Sequence, residues 1–179
     1  MAIIREKDIR QKAILETAER MAAAARTAPK GKGRDTIEII IATGDTIDVI
    51  AKEMHRIGDE FSAAFFHRDA GNLKQAGALV IIGTEIKTLG LNEMCQLCGF
   101  KNCAEKEKYP DTPCVFNTGD LNLAIGSAVA VAAEGFIDNR IMFTIGKAAM
   151  NLGLFERNVK IAHGIPLSVT SKNPFFDRK

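Results

Sequence analysis

Apolar and polar residues alternate along the first half of the chain with clear periods. Over residues 6–28 apolar side chains recur every three or four positions between charged ones, which predicts an amphipathic helix. We expect this helix to end at Ala28, because the residue before Pro29 avoids helical geometry. β-branched and aliphatic runs at 37–41 and 78–83 predict two buried strands. Residues 43–46, Thr-Gly-Asp-Thr, predict a turn that opens a helix over roughly 46–67.

The second half carries a weaker but similar pattern. Residues 118–120, Thr-Gly-Asp, are expected to begin a helix of small residues over 121–135, and a further helix is expected from Ile145 to Leu152. Two extended stretches near 159–163 and 167–170 predict strands. The small-residue helix is either a buried core helix, the interpretation we favour, or a surface against which a flat cofactor or a symmetry-related helix packs.

These elements predict the fold class. Helices and strands alternate without an internal repeat or a long linker, so we expect one α+β domain spanning residues 1–179. The expected architecture is a three-layer α/β sandwich, with helices on both faces of the sheet. A cysteine-rich segment at 93–116 would be an insertion on that scaffold.

Composition and charge do not favour several function classes. The net charge is +2, from 24 basic and 22 acidic residues, which indicates neither a nucleic-acid partner nor an anionic membrane. The chain has no Trp and one Tyr, so a base-stacking platform is not expected. The N-terminal stretch lacks the apolar region of a secretory signal, and no window resembles a membrane span. We therefore expect a cytoplasmic protein, in which thiols stay reduced.

All four cysteines lie in one segment, with the spacing Cys95-x2-Cys98-x4-Cys103-x10-Cys114. Four thiolates can supply one ligand to each iron of a [4Fe–4S] cluster, or they can hold one zinc ion in a closed tetrahedral site. Zinc ribbons usually pair two CxxC turns, and this segment has one, so the spacing favours iron over zinc without excluding zinc. The neighbouring run EKEK, residues 105–108, is interpreted as a solvated face that could also dock a redox partner.

Three stretches carry a resemblance to a known family: MCQLCGFKNCAEK, PCVFNTGDLNLAIGSA and GIPLSVTSKNPFFDRK. Over its full length the chain resembles a family of ferredoxin-domain proteins known mainly from anaerobic bacteria and archaea. The cysteine spacing also resembles that of small [4Fe–4S] domains in electron-transfer and corrinoid proteins. The resemblance implies a [4Fe–4S] cluster on the four cysteines and supplies no established reaction.

A weaker resemblance concerns a second cofactor. The stretch AAAARTAPKGKGRDTIEIIIATGDTIDVIAKEM resembles the opening of FMN-dependent nitroreductases, and it implies a nitroreductase-like sandwich that binds FMN. The arginine-rich phosphate motif of that family is absent here, and a lysine stands at position 30, where serine is usual. Late basic positions that would match are Lys147 or Arg178. The matching early positions are Arg26, Thr27, Lys30, Gly31 and Lys32.

Three hypotheses for function remain open at this point. One is a flavin-linked, FMN-dependent oxidoreductase with an iron–sulfur cluster, and another is an electron-transfer protein without a reaction of its own. The third is a zinc-stapled structural or interaction protein without redox activity. The expected partners are a redox protein or a small-molecule electron acceptor, with a homodimer suggested by analogy at the level of the fold. No catalytic acid, base or nucleophile can be assigned from the residues.

Overall fold

The computed structural model describes residues 3–177. The strands are β1 (Ile37–Ala42), β2 (Ala78–Glu85), β3 (Asp138–Asn139) and β4 (Val159–Ser168). The helices are α1 (Glu6–Thr27), α2 (Asp45–Glu60), α3 (Ala64–Asn72), α4 (Cys103–Glu107), α5 (Val115–Glu134) and α6 (Phe143–Asn151).

The strands form one antiparallel sheet in the order β1-β2-β4-β3. The β-branched run predicted at 78–83 becomes its central strand β2, whose first seven residues are buried. Ile82 of β2 lies opposite Ile39 of β1 on one side and His163 of β4 on the other. A strand with neighbours on both edges and helices on both faces must be apolar throughout, which explains the continuous run.

Helices cover both faces of this sheet, because successive strand side chains point to opposite sides. On one face Val80 and Ile82 pack against α1 and α5. On the other face Leu79 and Ile81 pack against α2, α3 and α6. The expected three-layer α+β sandwich is therefore confirmed, with a hydrophobic core on each side of the sheet.

Helix α6 packs unusually close to strand β4. A Cβ atom built on Gly146 of α6 would lie 1.9 Å from the carbonyl oxygen of Ala162. Next to it, Met142 and Gly164 exchange backbone hydrogen bonds of 2.8 and 3.0 Å. Glycine is thus required at position 146 by the approach of the two backbones.

Several predicted boundaries were wrong. The helix predicted over 46–67 is two helices, because the chain turns at Ser62, whose φ is 51°. The strands predicted near 159–163 and 167–170 are one continuous strand, β4. Residues 118–120 do not begin α5 but lie in its first two turns, since the helix starts at Val115. Asn117 and Asp120 in these first turns make long-range contacts, described below.

Helix α5 is a core helix of this fold. Among residues 3–177, α5 is the one helix whose length and composition would allow it to cross a membrane. Buried core helices pass the same test. Leu121, Ala124 and Ala128 on it are buried against α1 and the sheet. Its small side chains let α1 pack alongside it, so the favoured interpretation as a core helix is confirmed.

Candidate metal centre and adjoining pocket

The segment between β2 and α5 carries all four cysteines and folds back on itself in tight turns. Asn92, Gln96 and Gly99 adopt positive φ angles of 50°, 50° and 83°. The amide of Cys95 donates to the carbonyl of Asn92 at 3.2 Å, and the amide of Gly99 donates to that of Gln96 at 3.0 Å. These turns give the CxxC pair the compact loop that its spacing predicts.

The four cysteines line one apolar pocket. Cys95, Cys98 and Cys103 are half-buried, and Cys114 is buried. The remaining walls are mostly carbon atoms of Leu89, Leu91, Phe100, Val115 and Phe116. The structure thus brings together the cysteines that the sequence singled out, in surroundings that exclude most water.

Backbone and side-chain hydrogen bonds hold Cys103 in place. Its Sγ accepts a hydrogen bond from the amide of Asn92 at 3.3 Å, a contact of the kind that orients and tunes metal-bound thiolates. Cys103 is also the first residue of α4, and Asn102 caps that helix by accepting from the amide of Glu105 at 2.9 Å. In return the Glu105 carboxylate accepts from the amide of Lys101 at 2.7 Å.

Cys114 occupies the N-cap of the 20-residue helix α5. Its carbonyl accepts from the amides of Asn117 and Thr118, at 3.0 and 3.4 Å. The start of α5 therefore fixes the backbone of Cys114 at the cysteine pocket.

The donor set fits a thiolate-bound metal group. Thiolates are soft ligands that select iron–sulfur clusters or zinc over harder ions. Within residues 3–177, however, no group of three or more His, Cys, Asp or Glu side chains is arranged to hold a single metal ion. The four cysteines share a pocket without converging on one point.

A larger, more polar pocket of about 540 Å³ adjoins the cysteine pocket. The two pockets share Thr88, Leu89 and Lys106, so they lie on either side of one thin wall. The volume falls within the range of sites that bind small molecules, roughly 300–1,000 Å³. Its other lining residues are Arg34, Asp35, Thr36, Ile86, Lys87, Glu107, Pro110, Asn117 and Asp120.

The first turns of α5 fix the walls of this larger pocket. Both carboxylate oxygens of Asp120 accept from the amide of Gly31, at 3.1 and 3.0 Å. The side-chain oxygen of Asn117 accepts from the amide of Lys87 at 2.8 Å. Both side chains are buried, although nothing in the local sequence pattern marks them. Their partners lie 89 and 30 residues away, so sequence reasoning missed them.

Lys106 is buried, contrary to the interpretation of residues 105–108 as a solvated face. Its side chain lies on the inner face of α4 and is 2% exposed, whereas Glu105, Glu107 and Lys108 are exposed. The short helix explains the difference, because one turn places neighbouring residues on different sides. Glu107 is fixed on the rim, where its carboxylate accepts from the Thr88 hydroxyl at 2.6 Å.

The residues expected to hold FMN lie at the end of α1 and in the loop after it. Arg26 contacts Asp35 through an ion pair and donates to the carbonyl of Ile37 at 3.0 Å. The hydroxyl of Thr27 donates back to the carbonyl of Ala23 at 3.1 Å. Both side chains therefore have partners within the fold.

Of the other three residues in that loop, Lys30 and Gly31 make contacts within the fold, and Lys32 is exposed to solvent. The ammonium of Lys30 donates to the carbonyls of Ala25 and Ala28, at 3.0 and 2.8 Å, and so closes the C-terminal end of α1. Lys32, with φ of 53°, is exposed, and the Gly31 amide faces Asp120. The five residues lie together, but none of them lines the larger pocket.

Of the two late basic positions, the structure describes only Lys147, which does not join this loop. Lys147 lies on α6, on the opposite face of the sheet from α1 and α5. Arg178 lies outside the described residues. The assignment of FMN-binding residues from sequence thus remains a prediction.

Burial and ion pairs shift two pKa values beside the loop. Burial lowers the pKa of Lys30, although the nearby carboxylates of Asp35 and Asp120 act in the opposite direction. Burial acts to raise the pKa of Asp35, but the Ile37 amide and the Arg26 guanidinium hold it below its ordinary value. The loop therefore carries a fixed Arg26–Asp35 pair next to a partly desolvated lysine.

The fold is that of nitroreductase-like flavoproteins. A BluB-like flavoprotein from Clostridium difficile 630 matches 88% of this chain and 81% of its own, with 19% identity and a TM-score of 0.57. A nitroreductase-like protein from Desulfovibrio desulfuricans, solved with FMN, matches 92% and 78%, with 13% identity and a TM-score of 0.58. Nitroreductase CinD from Lactococcus lactis, solved with nicotinic acid, matches 95% and 81%, with 16% identity and a TM-score of 0.57.

The chain belongs to the family described as "uncharacterized protein containing a ferredoxin domain" (DUF2148). The family model matches residues 111–178, which include Cys114. A protein of Archaeoglobus fulgidus is 40% identical over 184 residues, which cover 98% of this chain and 97% of that protein. The resemblance to ferredoxin-domain proteins is therefore confirmed. Family and fold together indicate a redox-related role.

Proposed function

We propose that the protein is an iron–sulfur redox protein that holds one [4Fe–4S] cluster on Cys95, Cys98, Cys103 and Cys114. The observation that carries this proposal is that all four cysteines line one apolar pocket. Such a cluster would supply one-electron transfer. The family description as ferredoxin-containing supports the same assignment.

The single CxxC turn supports a cluster over a single zinc ion, because zinc ribbons usually pair two such turns. At zinc the thiolates would sit at the corners of one tetrahedron, roughly 4 Å apart, given Zn–S bonds of about 2.3 Å. A cube spaces its ligands more widely, because each thiolate binds a different iron. The amide of Asn92, which donates to Cys103 Sγ, adds a contact that suits either metal.

The larger pocket supports a small-molecule electron acceptor or donor rather than a protein partner alone. Its wall of Thr88, Leu89 and Lys106 is shared with the cysteine pocket, so a molecule bound there would lie one side chain away from the thiolates. FMN is a candidate because structures with this fold include one solved with FMN. On this proposal FMN would convert one-electron transfers into two-electron chemistry.

A homodimer is part of the proposal. Helix α5 leaves Leu123 half-exposed, and Gly126 has no atom within 4 Å of a Cβ position. An apolar face with a glycine at its centre is suited to close packing against a second helix. Sedimentation of the purified protein at several concentrations measures this directly: a monomer at every concentration contradicts it.

Anaerobic purification followed by iron, sulfide, zinc and flavin analysis of one sample tests the proposed function. We expect about four iron and about four sulfide per chain. Cys98→Ser should lose most of the iron. Leu97→Ser is the matched control, because Leu97 is 67% exposed in the same turn and carries no thiol.

Three outcomes decide between the hypotheses. Iron and sulfide in the wild type and in Leu97→Ser, but not in Cys98→Ser, support the cluster. Zinc without iron supports the zinc-stapled structural protein. Full iron content in Cys98→Ser shows that the ligand assignment is wrong. Flavin that co-purifies with the cluster favours an oxidoreductase over a simple electron carrier.

A further inference from the structure

Lys106 is a lysine with almost no exposed surface, in the wall between the two pockets. It is 2% exposed. In the part of the chain that the structure describes, no carboxylate oxygen lies within 4.0 Å of its ammonium, which has no ion-pair or hydrogen-bond partner there. A lysine is almost never fully buried unless something compensates its charge. A group of opposite charge is therefore expected beside it.

Lys106 lies beside the cysteines because of its place on α4. It follows Cys103 by three positions on this helix, so the two side chains lie on the same face. Lys106 also lines the pocket that contains the other three cysteines. Lys106 and the four cysteines thus line a single apolar enclosure.

The carboxylates near Lys106 already have other donors. Asp120 accepts twice from the amide of Gly31, and Glu107 accepts from the Thr88 hydroxyl. Asp35 is paired with Arg26. On the larger pocket's side, the other cations are Arg34 and Lys87, and Lys87 is paired with Glu85 at 2.9 Å. The cysteines are the remaining source of negative charge, because they must be thiolates to bind metal.

We propose that Lys106 is the counter-charge of the four thiolates and that it raises the reduction potential of the cluster they hold. This inference rests on the proposed function. Four thiolates in an apolar pocket repel one another, and one ammonium in the same enclosure offsets part of that repulsion. Reduction adds one more negative charge to the cluster, so a nearby cation favours the reduced form. Lys106 is thus a positioning and tuning residue and not a ligand.

The test compares four proteins reconstituted anaerobically with iron and sulfide. These are the wild type, Lys106→Gln, Lys106→Arg and Lys108→Gln, where Lys108 is an exposed lysine two positions along the chain. Lys108→Gln makes the same change in net charge, so it controls for the charge of the whole molecule. Iron and sulfide per chain are measured first, and the visible absorption is then titrated against potential.

We expect Lys106→Gln to have a lower reduction potential than the wild type, or to bind less iron. Lys108→Gln should match the wild type, and Lys106→Arg should restore the wild-type potential, because it restores the charge. Wild-type potential and iron content in Lys106→Gln overturn the inference, as does an equal shift in Lys108→Gln.

Failure of the proposed function gives a different result. In that case the wild type itself binds no iron and sulfide, whatever the state of Lys106. Should Lys106→Gln fail to fold, as judged by circular dichroism before reconstitution, Lys106→Met takes its place, since it fills the apolar enclosure without a charge. The same two measurements on Lys106→Met then support or overturn the inference.

Discussion

Replacing Gly146 by alanine tests the close packing of α6 on the sheet. Sequence alone predicts a gain in stability, because alanine is better than glycine in a helix interior by about 1 kcal/mol. The structure predicts the opposite sign. The new Cβ would lie 1.9 Å from the Ala162 carbonyl oxygen, whereas real Cβ atoms essentially never approach within 3.0 Å of another heavy atom. Because that oxygen belongs to the backbone of β4, it cannot rotate away.

The expected loss of stability follows from the movement this clash requires. Helix α6 must move away from β4 by about 1 Å, which also loosens the packing of Ile145 and Ala149, both fully buried. Overpacking of this kind costs about 1–3 kcal/mol, and more where backbone atoms collide. Because backbone atoms collide, the upper end of this range applies, and after subtraction of the helix-propensity gain we expect the free energy of unfolding to fall by about 2 kcal/mol. For a domain of this size the melting temperature should drop by about 4–8 °C.

Thermal and urea unfolding of the metal-free, reduced protein measures this difference. The matched control is Gly119→Ala, which also lies within α5 and has no atom within 4 Å of the new Cβ. We expect that variant to be more stable than the wild type by about 0.5–1 kcal/mol. If Gly146→Ala were also more stable than the wild type, the close approach of α6 and β4 would be refuted.

Three further predictions concern the site and its surroundings. Cys114→Ser should abolish most iron binding yet leave the metal-free protein within about 1 kcal/mol of the wild type in urea, since serine is a good N-cap; a large loss of stability would contradict this. Asp120→Ala should lower the free energy of unfolding by about 1–3 kcal/mol, because the Gly31 amide loses both of its acceptors. An unchanged urea midpoint would contradict this contact. Burial lowers the pKa of His163 from its ordinary value of about 6.5. Because the unfolded chain then binds a proton more readily, the free energy of unfolding should fall as pH is lowered from about 7 to 5, and His163→Gln should reduce that slope.

Much of the scaffold could be predicted from the sequence. The period of α1 and its end before Pro29, and the apolar runs of β1 and β2, are local signals that correspond closely to the observed elements. The clustering of the four cysteines in one segment is visible in the spacing itself. The choice between iron and zinc depends on the distances between the sulfur atoms. The spacing of the cysteines along the chain does not determine these distances.

The first turn of α5 and the burial of Lys106 could not be predicted in the same way. In the first turns of α5, Asn117 and Asp120 accept from the backbone amides of Lys87 and Gly31, far away in the chain. No local pattern can encode such partners, since a hydrogen bond between distant residues exists only after the chain has folded. In the sequence, Lys106 is also indistinguishable from the charged residues on either side of it.

The sequence by itself therefore determined the elements whose periodicity is local, the fold class, and the four thiols as one set. Only the tertiary structure decided the antiparallel order β1-β2-β4-β3, the shared wall between the cysteine pocket and the larger pocket, and the placement of one lysine inside that wall. The physical reason is common to all three. Each depends on which distant surfaces exclude water from one another, and burial of that kind is a property of the packed layers and not of any single segment.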